Sequence, residues 1–322
     1  MKTKPGNKQL NKTLAALCAA VILLGFTTGS VLAVDVSDED YKTLQAHKKK
    51  QAEKQLPPHK QPAPHNPSAP SVSNAHNLAE AATNPIANLM QFQVQNAYKW
   101  KNHNSHGYAN VSTLQAVIPV KLPWESVPLL ITRTTLPYVT TPNFEGSADR
   151  VRGFGDGEML LLATPKLKAK GVQLGLGVNT VFPTGGDNLI TSDRKYQIGP
   201  AALFINMRTP TWQWGMFGYQ LWDVANASNA SDKSYVSKLS LQPVLVKHFA
   251  KGWYAGTPDT PQTYDFNANK WTWALGAQVG RVQKFGKQPV KWFGEILYNP
   301  EDDNGPTAEW TAKLNLTFLF PE

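Results

Sequence analysis

Cysteine is almost absent from this chain of 322 residues, and the one example is Cys18. It lies in an apolar stretch near the N-terminus, where we expect an ordinary hydrophobic residue rather than a lipidation site. The rest of the chain therefore has no disulfide, no thiolate nucleophile and no cysteine ligand for a metal ion.

Long apolar runs are also missing. The longest, residues 14–26, is shorter than the ~20 residues that a membrane-spanning helix needs, so a membrane form of this protein would cross as strands. Four lysines precede the run, and it is followed by Val31, Leu32 and Ala33, whose small side chains suit a signal peptidase. The sequence therefore predicts a cleaved secretory signal over residues 1–33.

The charge balance does not point to nucleic acid. Four of the 32 basic residues lie in the predicted signal and all 23 acidic residues lie beyond it, which leaves the remainder at +5. The mean hydropathy of −0.36 is low for a helical membrane protein. A β-barrel, however, hides only alternate residues from water, so this value is compatible with one.

Three segments are predicted after the signal. Residues 34–56 are charged, with Ser37 and Asp38 placed to cap a short helix exposed to the periplasm. Residues 57–76 are rich in proline and histidine and form an extended linker. We expect residues 34–76 to be a mobile periplasmic arm, and residues 77–322 to form the folded domain.

The sequence pattern of the folded domain predicts an all-β fold with about twelve strands. Most are longer than the ~9–11 residues that cross a bilayer at a tilt. The connections alternate between short and long, as in bacterial outer-membrane barrels with short periplasmic turns and long external loops. The predicted strands are 90–100, 110–121, 127–139, 155–166, 171–183, 196–208, 211–224, 235–248, 252–260, 271–284, 289–299 and 307–320. The segment 261–270 is among those predicted to be long external loops.

Side-chain alternation fits both a membrane barrel and a soluble sandwich, because each has one apolar face per strand. The tryptophans favour the barrel. All ten lie in the folded domain, mostly at predicted strand ends, such as Trp124 and Trp253 near short turns and Trp100 and Trp310 near long loops. Two girdles of amphipathic rings are typical of the two membrane interfaces, so we predict an antiparallel transmembrane barrel in the outer membrane.

A series of short motifs resembles one bacterial outer-membrane family. They are "NPIANLMQFQVQN" (84–96), "LQAVIPVKL" (114–122), "ITRTTLPYV" (131–139), "GFGDGE" (153–158), "FPTG" (182–185), "LQPVLV" (241–246), "FGKQPV" (285–290) and "FLFPE" (318–322). The family is usually labelled the phenol-degradation meta-pathway transporter family, and some members carry the misleading label neuromedin U precursor. The resemblance implies an outer-membrane barrel that takes up small, often hydrophobic compounds. The Pro-Glu ending departs from the terminal aromatic residue of most barrels, which here would be Phe320.

Candidate functional residues lie on the predicted wet faces. A basic residue facing lipid near the midplane costs ~2–4 kcal/mol, so Arg133 should face the lumen. There it can meet Glu158 or Glu295 as a constriction or binding site, or such residues can simply fill the interior as paired charges. The predicted pore-lining residues are Arg133, Glu158, Glu295, Lys291, Gln115, Gln242, Gln278 and Lys313. Amide-rich walls suit a neutral or weakly polar solute.

Two other classes of function remain as alternatives. An outer-membrane lipase or esterase needs a nucleophile, a base and an orienting group, for which His103 and His106 in the first external loop are candidate bases. A structural or adhesive barrel, anchored by its basic N-terminal arm, is the third. We predict a channel and no enzyme, with no cofactor and no metal. The expected partners are outer-membrane lipid, the barrel-insertion machinery and a small solute.

Overall fold

The computed structural model describes residues 75–142, 150–185, 192–209, 211–227, 235–301 and 307–321. Within them the chain forms one α-helix, α1 (Ala75–Thr83), followed by twelve antiparallel barrel strands. The predicted signal and the charged segment 34–56 lie outside the described residues, as does the linker as far as residue 74. Ala75 and His76, predicted to end the linker, are the first residues of α1.

The strands follow the predicted order closely. They are β1 (Met90–Asn102), β2 (Ala109–Trp124), β3 (Val127–Thr140), β4 (Arg152–Phe154 and Gly157–Thr164), β5 (Val172–Phe182), β6 (Lys195–Thr209), β7 (Trp212–Asn226), β8 (Ser237–His248), β9 (Trp253–Gly256 and Gln262–Asp265), β10 (Lys270–Thr272 and Leu275–Phe285), β11 (Gln288–Tyr298) and β12 (Ala308–Phe320).

Every strand pairs with its neighbours in sequence, and the first pairs with the last. β1 lies antiparallel to β12 in a register that places Met90 opposite Phe320 and Tyr98 opposite Ala312. The sheet is therefore closed. Closure is the condition for strands to cross hydrocarbon, because an open edge would leave a row of backbone groups without hydrogen bonds. The predicted twelve-stranded antiparallel barrel is confirmed.

Residues alternate between an apolar outer face and a polar inner face, as β1 and β12 show. The outward side chains are large and exposed, with Leu314 at 69% and Phe92 at 41% of full exposure. The inward residues next to them in sequence, including Gln91, Gln93 and Asn315, are buried. A soluble sandwich would bury the apolar face instead, so the direction of the alternation identifies a membrane barrel.

The ninth strand differs from its prediction. It was expected to cross as one piece over 252–260 and to be followed by a long external loop over 261–270. Instead β9 leaves the wall after Gly256, enters the lumen over residues 257–261, and rejoins the wall at Gln262. The external connection is only the turn 266–269. Pro258 and Pro261 have no backbone N–H to donate to a ladder, which explains why regular pairing stops here.

Helix α1 lies within the periplasmic half of the barrel. Leu78, Ala79 and Ala82 belong to one apolar cluster with inward residues of the wall such as Leu203 and Phe293. Ile86 and Leu89, which follow the helix, extend this cluster towards the start of β1. In the described part of the chain, no helix has both the length and the apolar character needed to span a bilayer. The helix is thus a packed part of the interior, which the sequence analysis did not predict.

The turn from β8 to β9 gives a direct test of the packing at the periplasmic rim. Gly252 has a φ of +78°, and a Cβ there would meet the carbonyl oxygen of Val282 at 2.2 Å. Gly286, in the turn from β10 to β11, has a φ of +60° but nothing within 4 Å of its Cβ position. Gly252→Ala should therefore lower the free energy of unfolding by about 2–3 kcal/mol, and Gly286→Ala by about 1 kcal/mol.

The measurement is urea unfolding in lipid vesicles, followed by tryptophan fluorescence. Because both variants place alanine at a positive φ, the difference between them isolates the steric contact. Equal losses for the two variants would show that β9 and β10 are not packed as the structure has them.

Candidate functional site in the barrel lumen

A cavity of about 300 Å³ lies inside the barrel, and the end of α1 forms part of its lining. We call α1 and the residues that follow it as far as Pro85 the plug. The cavity is lined by plug residues 82–85 and by the intruding residues Asp259, Thr260 and Pro261. The cavity is therefore bounded by the wall and by two segments that the wall encloses.

The lining of the cavity interleaves apolar side chains with neutral amides, as the pairing of Val117 with Gln91 and of Phe217 with Gln242 shows. The apolar residues are Val117, Ile131, Leu160, Leu162, Leu203 and Phe217. The amides are those of Gln91, Gln93, Gln95, Gln115 and Gln242. An amide both donates and accepts hydrogen bonds, so these residues can satisfy a polar group of either kind without carrying a charge. The arrangement suits a small solute that has an apolar body and a neutral polar group.

Arg133 and Glu158 form an ion pair inside the lumen. A guanidinium Nη2 donates to the Glu158 carboxylate at 3.1 Å, and both side chains are about one quarter exposed. The guanidinium also lies over the ring of Phe217, 5.4 Å from its centroid. The two residues come from β3 and β4, where Glu158 is paired with Thr135, two residues from Arg133. Adjacent strands thus bring the pair together across a diagonal of the sheet.

A second ion pair fixes the intruding segment of β9. Lys313 Nζ lies 2.8 Å from the carboxylate of Glu295, and the two side chains are almost fully buried. The same carboxylate accepts from the Asp259 N–H at 2.8 Å and from the Thr260 hydroxyl at 2.6 Å. Lys313 also donates to the carbonyl oxygen of Asp259. The pair therefore satisfies backbone groups that left the wall ladder, which is the condition for burying two charges.

Polar contacts from the wall hold the C-terminal end of α1. Lys291 Nζ donates to the carbonyl oxygen of Ala82 at 3.0 Å, a favourable place for a cation because helix C-termini carry partial negative charge. Gln213 Nε2 donates to the Thr83 carbonyl, and the Thr83 hydroxyl donates to the Gln213 side-chain oxygen. Asn84 donates to Gln173 at 2.8 Å. The plug is thus held by hydrogen bonds to three residues on three wall strands.

The predicted pore-lining residues all face the interior. Arg133, Glu158, Lys291, Gln115, Gln242 and Lys313 line the main cavity. Gln278 lines a smaller neighbouring cavity of about 40 Å³, and Glu295 is buried next to Lys313. Arg133 meets Glu158, while Glu295 is paired with Lys313. Contact of any of these residues with a passing solute stays a prediction.

Sequence reasoning missed the contributions of α1 and of residues 257–261. For the intruding segment, Pro258 and Pro261 flanking two polar residues in a predicted strand were an available signal of a break. For α1, the spacing of Leu78 and Ala82 in "NLAEAAT", ahead of Asn84-Pro85, was a usable helical signal. Neither pattern indicates that the segment lies inside a barrel, because that follows from contacts distant in sequence.

The histidines proposed as candidate bases lie in the first external connection. The His103 Nε2 atom is 3.0 Å from the carbonyl oxygen of Asn299, a contact that ties this connection to the end of β11. The His248 Nε2 atom, near the periplasmic end of β8, lies 3.4 Å from the Thr83 hydroxyl. The residues that the structure describes contain no group of three or more histidine, aspartate or glutamate side chains suited to a metal ion.

Closed antiparallel strands, an exposed apolar outer band and a polar lumen define a β-barrel of the outer-membrane type. Among solved structures, an outer-membrane channel from Pseudomonas putida F1 has a TM-score of 0.54 at 16% identity, covering 72% of this chain and 94% of that one. At this identity the likeness shows the fold alone. Outer membrane phospholipase A from Escherichia coli has a TM-score of 0.40 at 12% identity, covering 72% and 90%, which is too weak to carry an argument. No family model and no curated protein sequence matches the chain.

The buried pair of Lys313 and Glu295 should dominate the stability of the lumen. Lys313→Met would leave the Glu295 carboxylate buried with no cation, which should lower the free energy of unfolding by about 3–5 kcal/mol. In the double variant Lys313→Met/Glu295→Gln no charge remains, so the loss should be smaller than for the single variant. Urea unfolding in lipid vesicles measures both. A double variant less stable than Lys313→Met alone would contradict this account of the pair.

Arg133 should control the charge preference of the lumen. Arg133→Ala leaves Glu158 unpaired beside the cavity, so conductance should shift towards cations, and the barrel should lose about 1–2 kcal/mol of stability. Reversal potentials in a salt gradient across planar bilayers measure the shift. Lys168→Ala, which removes the same charge from an exposed periplasmic turn, is the matched control. An equal shift in both variants would show that the lumenal charge of Arg133 affects ion preference no more than a charge at the periplasmic surface does.

Proposed function

We propose that this protein is an outer-membrane channel that admits small neutral or hydrophobic compounds passively. The observation that carries the proposal is the lumenal cavity, whose lining combines large apolar side chains with the amides of five glutamines. A solute of this kind can bury its apolar body against Leu160, Leu162 and Leu203 while a hydroxyl or carbonyl group bonds to the glutamines. The resemblance of the sequence motifs to the phenol-degradation transporter family supports the same class of solute.

The pairing of the lumenal charges supports a neutral solute. Arg133 and Lys313 each have a carboxylate partner within the lumen, and Lys291 donates to the end of α1. A charged solute would have to compete with these internal partners and lose its own hydration in a narrow barrel. A neutral solute meets neither cost, because it needs only hydrogen bonds to the amides and contact with the apolar side chains.

Passage to the periplasm requires α1 to move. The helix and the apolar side chains around it fill the periplasmic half of the barrel, directly below the cavity. The wall holds the end of α1 through a few hydrogen bonds, with Lys291, Gln213 and Gln173. A neutral bond contributes about 1 kcal/mol net and the bond from the Lys291 ammonium about 1.5–3 kcal/mol, so these bonds hold the helix end by only a few kcal/mol.

We further propose that the protein is not an enzyme. The contact between His103 and the Asn299 carbonyl supports a role in fastening the external ends of β1 and β11. A hydrolase would need a serine activated by one of these histidines. Esterase and lipase assays of the purified protein test this directly, and activity lost in His103→Ala or His106→Ala would favour the enzyme.

Locking α1 to the wall should stop permeation. The variant Thr83→Cys/Gln213→Cys places two thiols where the native side chains touch, and a short bis-thiol reagent can join them. We expect liposomes with the joined protein to swell at the rate of protein-free liposomes in neutral aromatic and alcohol solutes. A reducible reagent should allow the rate to recover on reduction.

The control is a cross-link within the wall. Ala116→Cys/Thr134→Cys joins two directly paired residues on the lipid face of β2 and β3. The same reagent should leave its swelling rate unchanged. If the locked plug variant still admits neutral solutes at the unlocked rate, the path through the lumen is refuted. If unmodified protein admits none of a panel of sugars, carboxylates and aromatics, a structural role is favoured instead.

A further inference from the structure

Basic residues gather at the periplasmic ends of the strands. In the described turns and adjoining strand ends they are Lys121, Lys166, Lys168, Lys170, Arg208, Lys247, Lys251, Arg281, Lys284 and Lys287. In the same described segments the acidic residue is Glu125. This rim is therefore strongly positive at the level where the protein meets the periplasmic leaflet, since short turns mark the periplasmic side of such barrels.

Two of these cations lie on the lipid face among the tryptophans of the periplasmic girdle. Strand pairing places Trp212 beside Lys247, and Arg281 between Trp253 and Trp292. Directly paired residues share one face of a sheet, so all five side chains point outward. The Lys247 Nζ lies 5.1 Å from the ring centroid of Trp212, and the Arg281 guanidinium lies 5.4 Å from that of Trp253. The rings hold both cations at headgroup depth.

Lys251 adds a third positive charge at the same place. It is exposed in the turn between β8 and β9, and its carbonyl oxygen accepts from Arg281 Nε at 3.2 Å. Within the described residues, none of Lys247, Lys251 and Arg281 has a carboxylate within ion-pair distance. The three charges are therefore open to an anionic group from outside this part of the chain.

An apolar groove lies next to the three cations. Ala255 is paired with Lys247 on one side and Val279 on the other, so it faces lipid between them. After Gly256 the chain turns into the lumen, so Ala255 is the last outward-facing residue of this part of β9. Leu245 and Val279, about half exposed, form the two sides. A small floor between two larger apolar side chains fits an acyl chain.

We propose that this face of β8, β9 and β10 binds an anionic phospholipid of the periplasmic leaflet. Lys247, Lys251 and Arg281 bind the headgroup phosphate, and one acyl chain lies over Ala255. The charge of the site selects the lipid, because basic side chains at a membrane surface are each attracted to anionic lipid, whereas a zwitterionic headgroup has no net charge. The site is separate from the lumen and does not depend on the proposed channel function.

Native mass spectrometry of the delipidated, full-length protein tests the site. We expect phosphatidylglycerol to be retained and phosphatidylcholine and inorganic phosphate to be lost. Lys247→Gln/Arg281→Gln should weaken phosphatidylglycerol binding by at least about tenfold. Lys168→Gln/Lys170→Gln, which removes two charges from another turn of the rim, should leave binding within about twofold of the unmodified protein. Ala255→Trp, which fills the groove and keeps every charge, should also weaken binding.

Three results would overturn the proposal. Equal losses in the two double variants would mean that the whole rim attracts lipid and that no site exists. Retention of phosphatidylcholine as strong as that of phosphatidylglycerol would show that the headgroup charge does not select the lipid. Unchanged binding in Ala255→Trp would show that no acyl chain lies over Ala255. Each variant must first show the heat-modifiable electrophoretic mobility of the folded barrel. If the Lys247→Gln/Arg281→Gln variant fails this, the single variants Lys247→Gln and Arg281→Gln replace it, and Ala255→Leu replaces Ala255→Trp if that variant fails.

Discussion

In the hydrocarbon core of a membrane, each backbone N–H and C=O group needs a hydrogen-bond partner within the protein. This constraint explains both the regular part of the barrel and the inward turn of β9. Where β9 leaves the wall, Thr257 replaces the missing ladder: its N–H donates to the Leu245 carbonyl and its hydroxyl accepts from the Leu245 N–H. The same hydroxyl donates to the carbonyl of Pro243. Thr257 thus supplies partners for backbone groups of β8 at the point where β9 turns inward.

The inward turn determines the interior of the barrel. Residues 257–261 bring backbone groups into the lumen, and these groups need buried charges to satisfy them. Glu295 and Lys313 supply those charges, and each also neutralises the other. Together with α1 they leave a small cavity whose lining combines apolar side chains with glutamine amides. The solute class that we propose therefore depends on the same buried hydrogen bonds that hold residues 257–261 in the lumen.

Much of the wall could be predicted from sequence, because strand alternation and turn spacing are local patterns. β1, β11 and β12 lie within a few residues of their predicted bounds, and Arg133 faces the lumen as expected from the cost of placing it in lipid. The path of β9 and the place of α1 could not be predicted. Their positions depend on contacts across the barrel, such as those from Glu295 to Asp259 and from Lys291 to Ala82, which no local pattern records.

The central claim is that adjacent residues of one strand face two different media, lipid and a water-accessible cavity. Leu114 and Gln115 on β2 are such neighbours: Leu114 is exposed on the outer face, and Gln115 lines the cavity. The most direct measurement is the rate at which a small charged thiol reagent modifies Leu114→Cys and Gln115→Cys in lipid vesicles, with reagent on both sides of the membrane. We predict fast modification of Gln115→Cys and little or none of Leu114→Cys. Equal rates, or faster modification of Leu114→Cys, would contradict the account.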